Sequence, residues 1–193
     1  PFSDSFVYEM VCADSKQCLQ FALDHDCTFH DNTLCAVNSM ECLQILHNSN
    51  HAWTVQSSAW AAQKSITVLK FLHERGCPWD ADTCAEAAGA GKLDCLKYAR
   101  VHGCPWDGST CSRAAMRGHF EILKYAHGNG CAIPAGTCRG IALTSSHLEC
   151  LRYAHKQGCA LGDEFTSAYA ARSGSLECLE YIHKHGGRWD YKL

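Results

Sequence analysis

Residues 76–102 read GCPWDADTCAEAAGAGKLDCLKYARVH, and residues 103–129 read GCPWDGSTCSRAAMRGHFEILKYAHGN. The two lines share the opening Gly-Cys-Pro-Trp-Asp, a Thr-Cys pair (Thr83-Cys84, Thr110-Cys111), an Ala-Ala pair (Ala87-Ala88, Ala114-Ala115) and a glycine (Gly91, Gly118), each 27 residues apart. They also share Leu-Lys-Tyr-Ala, at 96–99 and 123–126. Self-similarity at a short fixed period marks a repeat array. No single unit of this size can bury its apolar face alone, so stability must come from stacking.

The pattern spreads outward from this pair. Downstream, the opening block returns as Gly130-Cys131-Ala132-Ile133-Pro134, as Gly158-Cys159-Ala160-Leu161 and as Gly186-Gly187-Arg188-Trp189-Asp190. The closing block returns as Leu148-Glu149-Cys150-Leu151-Arg152-Tyr153-Ala154 and as Leu176-Glu177-Cys178-Leu179-Glu180-Tyr181-Ile182. Upstream, Cys18-Leu19-Gln20-Phe21-Ala22, Met40-Glu41-Cys42-Leu43-Gln44-Ile45-Leu46 and Val68-Leu69-Lys70-Phe71-Leu72 match it with more change. The second copy is short between Cys35 and Met40. The repeats run approximately over 1–25, 26–49, 50–75, 76–102, 103–129, 130–157 and 158–185, with a fragment at 186–193, and 1–193 is read as one array.

Within one repeat the spacing predicts a first helix over 81–90 and a second over 93–101. Asp80 or Thr83 can accept from the free N–H groups of the first turn. Cys84, Ala87 and Ala88 share one face, and their small size lets neighbouring helices approach closely. Leu93, Leu96 and Ala99 form the stripe of the second helix, widened by Cys95. Gly91 and Gly103 suit left-handed caps, and Pro105 cannot continue a helix. Trp79, Trp106 and Trp189 are expected to form a ladder at the turns, each ring meeting the next repeat. No alternating pattern for a sheet is present. The expected fold is all-α, a solenoid of about seven helix-turn-helix repeats with shortened turns.

With 47% hydrophobic and 19% charged residues over 193 positions, the chain has the composition of a folded globular protein. A net charge of −3 and a pI near 6.5 give no general electrostatic case for nucleic acid or an anionic membrane, so neither is expected as a partner. No apolar run approaches the ~18 residues of a membrane span, and Pro1-Phe2-Ser3-Asp4 does not open a secretion signal. An intracellular, cytoplasmic location is expected. The chain has no initiator Met, and both ends fall in mid-repeat without a finished polar cap, so the array is expected to continue or to be covered by another molecule.

Gly118-His119-Phe120-Glu121-Ile122-Leu123-Lys124-Tyr125-Ala126-His127-Gly128-Asn129-Gly130-Cys131 resembles the second half of an ankyrin repeat. Thr110-Cys111 and Ala114-Ala115 resemble its Thr-Pro-Leu-His-x-Ala-Ala start, with Cys in place of Pro. The resemblance covers essentially the whole chain, is clearest from Gly76 to His127, and is closest to short, Cys-rich ankyrin arrays of protists and giant viruses. The ankyrin period is about 33 residues; the shorter period here removes the β-hairpin finger at the turn. The resemblance implies a non-catalytic scaffold that binds protein partners on a concave face, with the first-helix surface carrying more of the contact.

Fifteen cysteines and twelve histidines need an account. Cys84, Cys111 and Cys138 share one place in successive repeats; Cys95, Cys150 and Cys178 share another, where Ile122 and Val68 also stand; Cys77, Cys104, Cys131 and Cys159 share a third. Exchange with Ile and Val is what a buried apolar slot tolerates. Zinc is the sharper reading, since His73, His127 and His155 each stand four residues before a cysteine. However, each repeat offers two ligands where a closed site wants four. An odd count forbids complete disulfide pairing. Equivalent cysteines on helices ~10 Å apart are too distant to bond, whereas staggered ones can approach. His73, His127, His155 and His183 sit near second-helix C-termini, where a donor can satisfy free carbonyls. No metal or cofactor is expected. A thiol repeated in every unit offers no unique nucleophile, and no phosphate loop or His-Glu-x-x-His is present, so the chain is not expected to be an enzyme.

In a repeat array framework positions recur and binding positions drift. The drifting residues on the exposed side of the first helices are Trp60, Glu86, Arg113, Met116, Arg117, Arg139 and Arg172. The arginines are expected to form a basic strip that meets an acidic or mixed protein surface. Two further roles fit the same sequence. One is a permanent subunit of a large assembly. The other is a metal- or redox-responsive repeat protein, which metal content and thiol titration would distinguish.

Overall fold

The computed structural model describes residues 9, 13, 15–25, 27, 29, 37, 39–49, 52–144, 147–162 and 164–188. Pro1-Phe2, Cys35 and the closing Trp189-Asp190 lie outside them. The described residues hold twelve helices and no strand. These are α1 (Lys16–Asp24), α2 (Met40–Asn48), α3 (Val55–Lys64), α4 (Ile66–Glu74), α5 (Ala81–Gly89), α6 (Leu93–Val101), α7 (Gly108–Met116), α8 (Phe120–Gly128), α9 (Thr137–Thr144), α10 (Leu148–Lys156), α11 (Glu164–Arg172) and α12 (Leu176–Lys184). The fold is an all-α helical repeat of the solenoid type.

Polar residues at fixed places set the helix ends. The Asp80 carboxylate accepts from the Asp82 amide at 3.0 Å and that of Asp107 from the Ser109 amide at 2.9 Å, satisfying donors that the first turn leaves open. In the worn upstream repeats Ser15, Ser39 and Ser65 perform the same task for α1, α2 and α4. Helix α5 ends at Gly89, one residue before the expected boundary. Gly91 then takes a φ of 75°, the Lys92 amide donates to the Ala87 carbonyl at 2.9 Å and the Gly91 amide to Ala88 at 3.3 Å. That crossed pair is a Schellman cap, and Gly103 with Cys104 repeats it at the end of α6.

The chain divides into two units, residues 1–79 and residues 80–193. In the first, α3 packs on α4 and α1 on α2. His47 of α2 meets the Phe71 ring of α4 edge-on at 6.3 Å, and Arg75 donates to Gln44 at 3.2 Å. In the second unit the first helices α5, α7, α9 and α11 form one continuous row, each also packed on its own second helix. Helices α8, α10 and α12 form a looser second row. The first row closes on Thr83, Cys84, Ala87, Ala88, Cys111, Ala114 and Ala115, all fully buried. Leu96, Leu123 and Leu151 fill the space between the rows and are equally inaccessible. Small residues permit the close approach, and close approach recovers dispersion contacts along the whole row.

Trp79 and Trp106 each have a local ring partner, and Trp189 of the expected ladder lies outside the described residues. Trp79 stacks on His73 of the preceding helix, with ring centres 4.0 Å apart. Trp106 lies edge-on to Tyr125 of its own repeat at 6.3 Å, beneath the Arg100 guanidinium at 4.2 Å. Each of these two rings therefore covers a local helix end.

Candidate interaction surface

The exposed side of the first-helix row is built from residues that follow the framework cysteine in each repeat. Arg113 of α7 forms an ion pair with Glu86 of α5, across the repeat boundary. The two side chains are 41% and 24% exposed, so one of the four arginines of the expected basic strip is already neutralised by its neighbour. Arg139 follows Cys138 directly and so occupies the place of Ser112; Gly140 occupies the place of Arg113. Arg139 is exposed. Met116 presses against Gly140, where a Cβ would lie 2.6 Å from its Sδ. Arg117 and Arg172 are exposed on their own helices' C-terminal ends. Trp60, in the unit of residues 1–79, is only 6% exposed and faces its core, so it does not share the exposure of the other six residues.

Met116, Arg117, Thr144 and His147 together line a cleft of about 570 Å³. Thr144 Oγ1 donates to the Met116 carbonyl at 2.7 Å and closes its floor. The His147 ring lies flat against Gly118, where a Cβ would come within 2.3 Å of Nδ1. One repeat earlier, His119 occupies the same position against Gly91, and its Nε2 lies 3.1 Å from the Gly89 carbonyl. Burial, with the nearby His119 adding to it, holds the His147 imidazole below its ordinary pKa. His147 and Thr144 were not singled out from sequence. The available signal was the recurrence of histidine immediately before the second helix, at 119 and 147.

The second-helix row presents a different surface. Lys97 sits 5.5 Å from the centre of the Tyr125 ring and Arg152 5.5 Å from that of Tyr181, each reaching into the following repeat. His127 Nδ1 and the Tyr153 hydroxyl are 3.0 Å apart, as are His155 Nδ1 and the Tyr181 hydroxyl. These histidines therefore bridge repeats instead of capping carbonyls. Capping is done by His25, His102 and His185, whose Nδ1 atoms lie 2.8, 2.9 and 2.8 Å from the carbonyls of Phe21, Tyr98 and Tyr181. Among the described residues no three His, Cys, Asp or Glu side chains converge as a metal site requires.

The cysteines occupy the slots expected of them. Cys95, Ile122, Val68, Cys150 and Cys178 are all buried, as are Cys77, Cys104, Cys131 and Cys159. Burial, with Asp94 as a second cause, pushes the Cys95 thiol up to about 12, and burial with Glu149 pushes Cys150 up to about 11. Both thiols are inert at neutral pH.

No family model matches the chain. No curated protein matches it either. Among solved structures it is similar to the pentatricopeptide repeat protein PPR10 in complex with an 18-nucleotide psaJ RNA element, with a TM-score of 0.52 and 12% identity over 93% of this chain and 32% of that one. A triple cysteine-to-serine variant of PPR10 in the same complex is similar to the same degree. The chain thus spans about a third of the length of these neighbours. The likeness establishes a helical repeat fold. It also corrects the expectation of no nucleic acid among the partners: net charge was the whole basis for that exclusion, and these similar structures hold RNA. Net charge is a property of the whole surface and does not decide what one face of a repeat protein binds.

Proposed function

We propose that the chain is a non-catalytic, ankyrin-like repeat scaffold that holds a protein partner on the exposed side of its first helices. Met116, Arg117, Arg139 and Arg172 are its contact group, and the His147 cleft is its anchor point. The observation that carries this reading is the contrast within α5, α7 and α9. Their buried positions repeat as Thr-Cys, whereas their half-buried outer positions change from Glu86 to Arg113 to Gly140. A surface that varies over a constant frame suits a partner of irregular shape and mixed charge, and the Glu86–Arg113 pair gives the strip both signs. Neighbouring repeat proteins that bind rather than catalyse support the non-enzymatic part. The period that runs through residue 79 supports reading 1–193 as one array. The cysteines of the described residues are free thiols, which supports a reducing compartment. Among those residues no helix is long and apolar enough to cross a membrane.

A second reading is single-stranded RNA on the second-helix row. It is favoured by the RNA-bound neighbours and by the alternation of Lys97, Arg152 and tyrosine rings, a pattern that can stack bases and track phosphates. One experiment separates the two. Arg117, Arg139 and Arg172 are replaced together by Glu, and Lys97, Lys124 and Arg152 together by Glu in a second variant. Each variant is assayed by cross-linking capture of protein partners and by gel shift on a random RNA pool. Loss of a stoichiometric protein partner in the first variant alone supports the protein scaffold. RNA binding by the parent that disappears in the second variant alone replaces it with the RNA reading.

A further inference from the structure

In residues 80–193 the first helix of a repeat and the turn opening the next repeat each contribute one buried cysteine, and the two meet. The Cys84 thiol of α5 lies beside that of Cys104, and the Cys111 thiol of α7 beside that of Cys131. Cys111 Sγ also lies 3.5 Å from the Cys131 carbonyl. Cys138 of α9 repeats the contact: its Sγ lies 3.6 Å from the Cys159 carbonyl, and its amide donates to Cys159 Sγ at 3.0 Å. The turn sulfurs are further held by donation to backbone at the start of the preceding first helix, Cys104 to Asp80 at 3.2 Å, Cys131 to Asp107 at 2.9 Å and Cys159 to Ala135 at 3.2 Å.

Two other repeats show what the fold needs at these places. Ser58 stands where Cys84 would, and its hydroxyl donates to Cys77 Sγ at 3.0 Å. Ser167 and Gly187 replace both members in the last full repeat; the Ser167 hydroxyl is buried there with no hydrogen-bond partner. The helices form in both cases, so the paired thiols are not required for the repeat to fold.

We infer that Cys84–Cys104, Cys111–Cys131 and Cys138–Cys159 are three dithiol couples that close to disulfides within the folded chain by exchange with a small-molecule disulfide. The turn cysteine loses its proton, and its thiolate attacks one sulfur of R–S–S–R. The S–S bond breaks and RS⁻ leaves to take a proton. The helix cysteine then deprotonates and attacks the turn sulfur of the mixed disulfide, expelling the second RS⁻. Two protein thiols are oxidised, and one external disulfide is reduced to two thiols. The division of labour follows position: Cys131 and Cys159 lie in turns and keep slight exposure, whereas Cys111 and Cys138 are fully inaccessible; the contact between Cys111 and Cys131 also holds Cys131 below its ordinary pKa, and that contact together with burial holds Cys111 above its own. The turn thiol is therefore the attacking group and the helix thiol the resolving one. Cys131 and Cys159 are 2% and 4% exposed, so the reaction proceeds through local opening of the turn. Each disulfide would clip a turn to the preceding first helix and stiffen the row that carries the candidate contact residues.

The test is peptide mapping of the native chain after incubation with oxidised glutathione at about pH 8, followed by alkylation of the remaining thiols. The expected map holds the three linkages 84–104, 111–131 and 138–159 and no disulfide linkage at Cys77, preserves the helical circular dichroism and reverts with dithiothreitol. Amide exchange between residues 111 and 131 should slow by at least about tenfold on oxidation. Cys111→Ser should abolish only its own linkage and leave Cys131 with one glutathione. The proposal is overturned if all six thiols stay alkylatable in the folded chain, if other linkages dominate, or if these three form only in denaturant. The parent map decides between these outcomes even if the variant fails to fold.

Discussion

The two helix rows of residues 80–193 are built from different materials. Helices α5, α7, α9 and α11 meet through Ala, Cys and Thr side chains that are fully inaccessible. Helices α8, α10 and α12 have fewer close approaches, and long side chains span the gap: His127 to Tyr153, His155 to Tyr181, Arg152 over Tyr181. A seam of small residues has no slack, because any added methylene must move a backbone. A seam of aromatic, imidazole and cationic groups can adjust rotamers and exchange partners with water. The first row therefore fixes the geometry of the repeat, and the second tunes how firmly successive repeats are joined.

This contrast can be broken most directly at Ala114. Replacement with Leu forces a larger side chain into the α5–α7 seam and should destabilise by about 1–3 kcal/mol; an unchanged urea midpoint would show that the seam is looser than described. Glycine caps offer a finer cut. Gly118 and Gly103 have nearly the same φ, 77° and 82°, but a Cβ on Gly118 meets the His147 ring and one on Gly103 meets nothing within 4 Å. Gly103→Ala should therefore cost only the left-handed backbone strain, about 1–2 kcal/mol, and Gly118→Ala should cost more unless His147 is also changed to Ala. Equal denaturation midpoints for the two single variants would remove the histidine contact from the account.

Smaller effects are expected in the second row. Tyr153→Phe removes the hydroxyl facing His127 and should cost about 0.5–1.5 kcal/mol while leaving the helical signal intact. Protonation gives the mildest perturbation. His147 and His155 are both held below their ordinary pKa, chiefly by burial, with His119 and His185 as the second causes. In each case the unfolded chain binds the proton more readily than the folded one. The contribution is present in full above the unfolded value near 6.5 and is lost as pH falls from there through the depressed folded value. Melting curves between neutral and mildly acidic pH should show the loss. The slope should flatten in the double variant His147→Gln, His155→Gln, and an unaltered slope would assign the effect to other groups.

Much of this was legible in the chain itself. The period placed α6 over its full observed range and α5 to within one residue, because caps, prolines and left-handed glycines are local signals. Burial of the three cysteine series was legible too, since exchange with Ile and Val reveals an apolar slot without any coordinates. The candidate surface was less so. Arg139 matches Arg113 by type, yet counting from Thr110-Cys111 and Thr137-Cys138 puts Gly140 in that place, a shift of one residue that turns a helical side chain by ~100°. Trp60 was counted with the exposed face and is buried. A single aromatic in the most altered repeats carries no register of its own.

The sequence alone determined the helices and their boundaries, the size of the repeat and the slots that must be small, because each depends on residues a few positions apart. Only the tertiary structure decided which residues face each other across repeats: Arg113 with Glu86, His147 with Gly118, and Cys111 with Cys131 in place of its own equivalents. Those pairings depend on the rise and rotation from one repeat to the next. That step is set by the summed packing of whole helix faces and is written in no single stretch of the chain.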